Sequence, residues 1–159
     1  MVQSATVHAS AVLVGARGVL IRGPSGSGKS QLARELIGMR GKEVAFTRLV
    51  GDDRVHLEAV NGRLLVRPAA ALAGLLEVRG VGLMRLDHEP SAVVGLVVDL
   101  AAADAERLPE PDRRRVEIDG IVLPRLAVAA GAAALPAVLG HLTSGQPLQH
   151  DPEKACPRT

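Results

Sequence analysis

Aromatic residues are almost missing from this chain, which holds one phenylalanine and neither tryptophan nor tyrosine in 159 residues. Its core must therefore be packed from leucine, valine and alanine, and stacking of single-stranded bases on aromatic platforms is excluded as a way of binding. Cysteine occurs once, as Cys156 in a polar tail. No intrachain disulfide can form, which points to a reducing cytoplasm. Long apolar runs are missing too: none reaches the roughly 18 residues needed to span a bilayer as a helix. The first ten residues, MVQSATVHAS, lack the basic-then-apolar layout of a secretory signal. Strong charge of one sign is also absent. The formal net charge is +2 and arginines are scattered along the chain, so no dedicated nucleic-acid surface is indicated. What is present is a 47% hydrophobic chain of single-domain length. It reads as one soluble cytoplasmic α/β domain with a core of its own.

Residues 23–30 read GPSGSGKS, the pattern G-x-x-x-x-G-K-[ST] with Gly23, Gly28, Lys29 and Ser30 in its fixed positions. Such a loop, here Gly23, Pro24, Ser25, Gly26, Ser27, Gly28, Lys29 and Ser30, turns its backbone amides toward phosphate oxygens. The helix that follows points its positive N-terminal end at the same place. Lys29 is placed to reach the terminal phosphates of ATP, and the Ser30 hydroxyl to bind the Mg²⁺ that travels with the nucleotide. Context supports the pattern. Gly18–Arg22 reads as a buried strand, and Ser30–Met39 as a helix with Leu32, Leu36 and Met39 on one face, widened by Ala33 and Ile37.

Hairpins dominate the rest. Ala11–Val14 and Val19–Ile21 pair through residues 15–18, leading into the loop. After a stop at Gly41, Ala45–Val50 returns as a strand ending in Gly51-Asp52-Asp53. Val55–Val60 and Arg63–Val66 flank Asn61-Gly62, a strong hairpin signal, and Pro68 closes the unit. Residues 69–76 read as a short helical turn or a loop, and Glu77–Leu83, with Gly80 and Gly82, as a binding loop. Val93–Leu100 is a continuous apolar run, expected to be a central strand covered on both faces. Residues 104–115 read as a surface loop. Val116–Ile118 and Ile121–Leu123 flank Asp119-Gly120 as a third hairpin, Leu126–Val128 as one more short strand, and residues 135–142 as a terminal helix. The division is a domain over 1–145 and a disordered tail over 146–159. Several hairpins around one strand–loop–helix unit imply a mixed sheet.

Phosphoryl transfer also needs an acidic group for the metal and a base for the nucleophile. Asp52 and Asp53 offer both, at the end of a strand expected to lie beside the phosphate loop, where ligands bind in open α/β sheets. Neighbouring residues at a strand end point different ways, so one carboxylate can face the metal and the other the substrate hydroxyl. Asp also favours turns, and a plain turn before a hairpin is the other reading. Glu77 is either a metal ligand or a solvated hairpin charge, and His8 either a structural or an active-site histidine. His56, His88 and His141 have no metal-ligand spacing.

His8, the G-x-S-G-x-G-K-S loop, L-V-x-D-D-R-V and E-V-R-G-V-G-L together resemble the catalytic domain of the HPr kinase/phosphorylase family. The likeness runs from about His8 to Leu142. It implies a P-loop domain with a mixed, hairpin-rich β-sheet flanked by helices, similar to the phosphoenolpyruvate carboxykinase core and commonly assembled as a hexamer. The implied activity is ATP- and Mg-dependent phosphorylation of a serine on HPr, the small phosphocarrier of the sugar phosphotransferase system, or on an HPr-like partner. By position, the resemblance makes Lys29 the phosphate-binding lysine, Ser30 and Glu77 Mg²⁺ ligands, Asp53 the acid/base carboxylate with Asp52 beside it, and His8 an active-site histidine. Arg107, in Glu106-Arg107-Leu108, matches a further catalytic arginine.

There are departures. Ala9 stands where the family has glycine, and the stretch after Gly80 is shortened, as in short alphaproteobacterial-type members. Where the family carries a basic element tied to dephosphorylation, this chain reads V-A-A-G-A-A over 128–133. A kinase with weak reverse phosphorylase activity is therefore expected, with Arg125 as a substitute cation if its side chain reaches the site. A non-catalytic ATP/ADP-sensing module and a small-metabolite kinase are the alternatives.

Overall fold

A computed structural model describes residues 5–143; the expected tail over 146–159 lies outside them. The order of elements is β1 (Thr6–Val14), β2 (Arg17–Arg22), α1 (Lys29–Gly38), β3 (Thr47–Gly51), β4 (Arg54–Val60), β5 (Arg63–Pro68), β6 (Leu75–Val78), β7 (Gly82–Arg85), β8 (Ala92–Leu100), β9 (Arg115–Ile118), β10 (Ile121–Val128) and α2 (Ala134–Thr143). Short 3-10 turns occupy Ala70–Leu72 and Pro111–Arg114.

Strands β1–β5 and β8–β10 form one mixed sheet, and β6–β7 a separate hairpin. β2 and β10 flank β8 in parallel, and β1 lies antiparallel between β2 and β3. The N-terminal residues of β1 and β8 leave this layer to pair with β4 and β5, so the sheet folds over itself. Alternation along β2 shows what this does. Val19 and Ile21 pack on one side with Leu32 and Leu36 of α1 and Val138 of α2. Leu20 points the other way, into Val50, Val55, Leu64, Val66 and Val97. In β8, Leu96, Val97 and Val98 are all fully buried in succession, because each face of the strand meets one of these two cores. Burying a leucine such as Leu36 completely contributes roughly 1.5–3 kcal/mol.

β1 runs between β3 and β2. Three expectations change. His8 lies inside β1, which starts at Thr6 because residues 6–8 find partners in β4. Glu77–Leu83 is not a loop: Glu77-Val78 and Gly82-Leu83 pair across a tight turn. Leu126–Val128 is not a separate strand, because β10 continues through Pro124. That proline stands where the strand changes partner, from β9 up to residue 124 to β8 from residue 125, a point where the missing N–H is tolerated. The turn expected within 69–76 is present, and the terminal helix extends one residue beyond its expected limits at each end.

Candidate active site

The loop between β2 and α1 has its chain direction set by glycine. Gly26 and Gly28 have φ of +81° and +99°, which L side chains rarely adopt. Gly28 caps α1 without any side-chain hydrogen bond, and no acidic residue stands in the helix's first turn. The helix therefore opens on amide donors with no internal partner, a geometry that favours an anion. Ser27 Oγ is buried with no hydrogen-bond partner among the described residues. Lys29 folds back over the loop, its Nζ donating to the carbonyls of Gly23 at 2.9 Å and Pro24 at 3.1 Å. Burial pulls the Lys29 pKa below the ordinary lysine value, against the opposing pull of Asp53 and Asp52.

Gly51 lets β3 end tightly beneath β4 and β5, where an added Cβ would come within 2.8 Å of Val55 Cγ1. The chain then turns through Asp52 and Asp53, with Arg54 N–H donating to the Asp52 carbonyl and Ala9 N–H to the Asp53 carbonyl. The two carboxylates part company here. Asp52 is buried, 4% exposed, and accepts from Ser10 Oγ at 2.5 Å, from Ser30 Oγ at 2.8 and 2.9 Å, and from the Glu77 N–H at 3.2 Å. Asp53 is exposed, has φ of +67°, and pairs its Oδ1 with His8 Nε2 at 3.0 Å. Aspartate tolerates the left-handed region better than most residues, and strain of this kind gathers at functional sites.

One cleft of about 1140 Å³ joins His8, the loop residues Pro24–Ser30, Asp53, Glu77 and Arg79. Asp52 meets it through Ser30. Arg107 is exposed in the loop between β8 and β9 and does not line it. Nor does Arg125: its Nε donates to Asp99 at 2.6 Å and its other nitrogens to Asp104 at 2.8 and 2.9 Å. Three participants were missed in the sequence. Ser10 sits in an apolar strand with nothing local to announce it, and Arg34 and Lys42 reach the cleft from α1 and the turn beyond. Helical spacing from Ser30, four residues earlier, offered a signal for Arg34; Lys42 offered none.

Chemically, a buried carboxylate fixed on a loop hydroxyl and an exposed carboxylate paired with an imidazole suit two different tasks. The family model described as HPr Serine kinase C-terminal domain matches residues 1–128. The chain belongs to that family. HPr kinase/phosphorylase of Neisseria meningitidis is 36% identical over 133 residues, covering 77% of this chain and 38% of the relative. The Streptococcus thermophilus HPr kinase/phosphorylase is 33% identical over 139 residues, 80% of this chain and 43% of the relative. The chain thus spans about two fifths of the length of these curated relatives. The fold is similar to that of the Hpr(Ser) kinase/phosphatase of Coxiella burnetii, with a TM-score of 0.69 at 22% identity, covering 87% of this chain and 88% of that one.

Within this HPr kinase C-terminal domain the loop's features fit the phosphates of a nucleoside triphosphate: uncapped amides, a buried cation and a buried hydroxyl. Ser30 and Asp52 fit Mg²⁺, which usually takes one or two carboxylates and completes its shell with phosphate and water. No group of three or more metal-binding side chains occurs among the described residues, and that mode of binding requires none.

Proposed function

We propose that this domain transfers the γ-phosphoryl group of ATP to a serine hydroxyl of HPr or an HPr-like phosphocarrier. The observation that carries the reading is the division of labour between adjacent carboxylates, Asp52 on Ser30 and Asp53 on His8, beside the lysine-bearing loop. The backbone amides of 26–30 bind the β- and γ-phosphates, and Lys29 exchanges its two carbonyl partners for phosphate oxygens. Ser30 and Asp52, with Glu77 beside them, hold Mg²⁺, which when bound neutralises charge on the transferring phosphoryl group. Asp53 takes the serine proton as the new O–P bond forms and the β–γ bridging bond breaks, leaving ADP. His8 donates from Nε2 to Asp53, orienting the carboxylate and stabilising its charge.

This assignment extends the family's P-loop core, akin to phosphoenolpyruvate carboxykinase, to the present chain, together with a homo-oligomeric assembly that light scattering tests. The reverse reaction is expected to be weak. It brings inorganic phosphate against phosphoserine, two anions, and the turn over 129–133 supplies no cation while Arg125 is committed to Asp99 and Asp104. A second reading, transfer to a small anionic metabolite, draws support from Arg34, Lys42 and Arg79 lining the cleft. Incubation with γ-labelled ATP and HPr decides between them: an acid-stable phosphoserine is expected, and ATP turnover with metabolite but never with HPr overturns the first reading.

A further inference from the structure

The strand order divides the cleft into two unlike flanks. On one side of the loop, β1 and the end of β3 bring His8 and Asp53, and Glu77 and Arg79 join them. On the other side, β8 and β10 end in Leu100-Ala101 and Val128-Ala129, followed by Ala130, Gly131 and Ala132, with Leu135 of α2 behind. The γ-phosphate must face the first flank, where the reacting groups are, so the nucleoside runs toward the second.

Among the described residues, no polar side chain lines that second flank. Its side chains are methyls and aliphatic groups. Part of its backbone is already engaged, since Ala102 N–H donates to the Val128 carbonyl and Ala132 N–H to the Ala129 carbonyl. The single phenylalanine, Phe46, lies outside the cleft, beneath the guanidinium groups of Arg40 at 4.8 Å and Arg48 at 5.4 Å. Of the polar side chains along α1, Gln31 and Glu35 are bonded to each other at 3.0 Å. Arg34 and Lys42 line the cleft with donors that suit phosphate oxygens.

We infer that the domain selects its donor by the triphosphate and not by the base, accepting adenine and guanine nucleotides with little preference. This rests on the reading that residues 23–30 bind a nucleoside triphosphate. Discrimination of about 10⁴-fold or more requires site polar groups left unpaired by the wrong substrate, whereas apolar walls distinguish related ligands by about 10²-fold at most. Adenine and guanine are close in size, so even the apolar contribution is small here.

The experiment is calorimetric titration of the 159-residue protein with Mg·ATP and Mg·GTP, with Lys29→Ala as the loop control. Dissociation constants within about tenfold of each other are expected, both weakened by Lys29→Ala. A ratio above tenfold in either direction overturns the inference while leaving nucleotide binding intact. Binding of neither nucleotide by folded protein overturns the nucleotide reading itself, and this inference with it. Ala130→Asp adds the carboxylate that the flank lacks, an acceptor for the guanine N1–H and amino group. It should shift the ratio toward GTP by about fivefold or more, a fraction of what one good polar contact provides. Ala132→Asp serves if the first variant does not fold. An unchanged ratio in folded protein overturns the placement of the base.

Discussion

Two clusters of charge stand near the end of β2, and they are satisfied in opposite ways. In one, Asp99 accepts from Arg22 Nε at 2.7 Å and Nη2 at 2.9 Å and from Arg125 Nε at 2.6 Å, while the remaining nitrogens of Arg125 grip Asp104. Burial opposes the charge on Asp99, yet the hydrogen bonds and charges of Arg22 and Arg125 hold its pKa below the usual carboxylate value. Arg125 is raised, first by its hydrogen bonds to Asp104. In the other cluster, Lys29 is lowered by burial and rests on neutral carbonyls, and Asp53 stands exposed on a left-handed residue. Planar guanidinium forks closed on carboxylates form a fixed network, because both oxygens of Asp99 and all three nitrogens of Arg125 already have partners. A desolvated ammonium on two carbonyls has much to gain from an arriving phosphate. Arg22 immediately precedes Gly23, so the fixed cluster anchors the strand from which the poised one is hung.

Substitutions can break this contrast, and the largest effect is expected at Asp53. Asp53→Asn keeps shape and tolerates φ of +67°, so nucleotide binding should persist while phosphotransfer falls by about 10²–10⁴-fold. Calorimetry and transfer of labelled phosphate measure the two separately, and wild-type turnover would remove Asp53 as the base. Asp52→Asn should weaken phosphotransfer by about 10–100-fold, the worth of a charge-assisted hydrogen bond. The Mg²⁺ concentration needed for half-maximal rate should rise; a variant with an unaltered Mg²⁺ requirement would detach Asp52 from the metal.

The fixed cluster should respond in stability. Asp99→Asn leaves Arg22 and Arg125 without their shared anion, at a cost of about 1–3 kcal/mol in urea unfolding, with turnover per folded molecule kept. The sign of its pH dependence follows from the lowered pKa. Asp99 binds its proton more weakly folded than unfolded, so its stabilisation is complete above the unfolded value of about 3.9 and lost as pH falls through the lower folded value. Acid unfolding of the wild type should therefore be steeper below about pH 4 than that of Asp99→Asn, and identical profiles would contradict the assignment. The smallest effect belongs to Arg113→Ala. Its exposed pair with Glu106, although only 2.6 Å long, should contribute about 0.5 kcal/mol or less; a loss above 1 kcal/mol would show that the loop carrying Arg107 is held more firmly than exposure implies.

The local vocabulary of this fold was legible in the chain. Asn61-Gly62 and Asp119-Gly120 turn where expected, with φ positive at all four residues, because the turn type demands backbone conformations that few residues accept. The glycine-rich loop, its flanking strand and its helix are equally local, and so were readable. Partner choice was not. Thr6, Val7 and His8 lay outside the strand read over Ala11–Val14, and are strand because β4 offers them an edge. The Glu77–Leu83 segment looked like a loop from its glycines, yet Gly80 lies in the turn of a hairpin and Gly82 opens its second strand.

The sequence by itself determined that a strand, a phosphate loop and a helix follow one another, and that Asp52 and Asp53 close a strand. Those features depend on neighbours a few residues apart. Which carboxylate meets Ser30 and which meets His8, that Ser10 backs the first, and that Arg125 is spent on Asp99 were decided by tertiary structure alone. Those contacts join residues 22 to 45 positions apart, and their geometry exists only after two cores have closed on the two faces of one folded sheet.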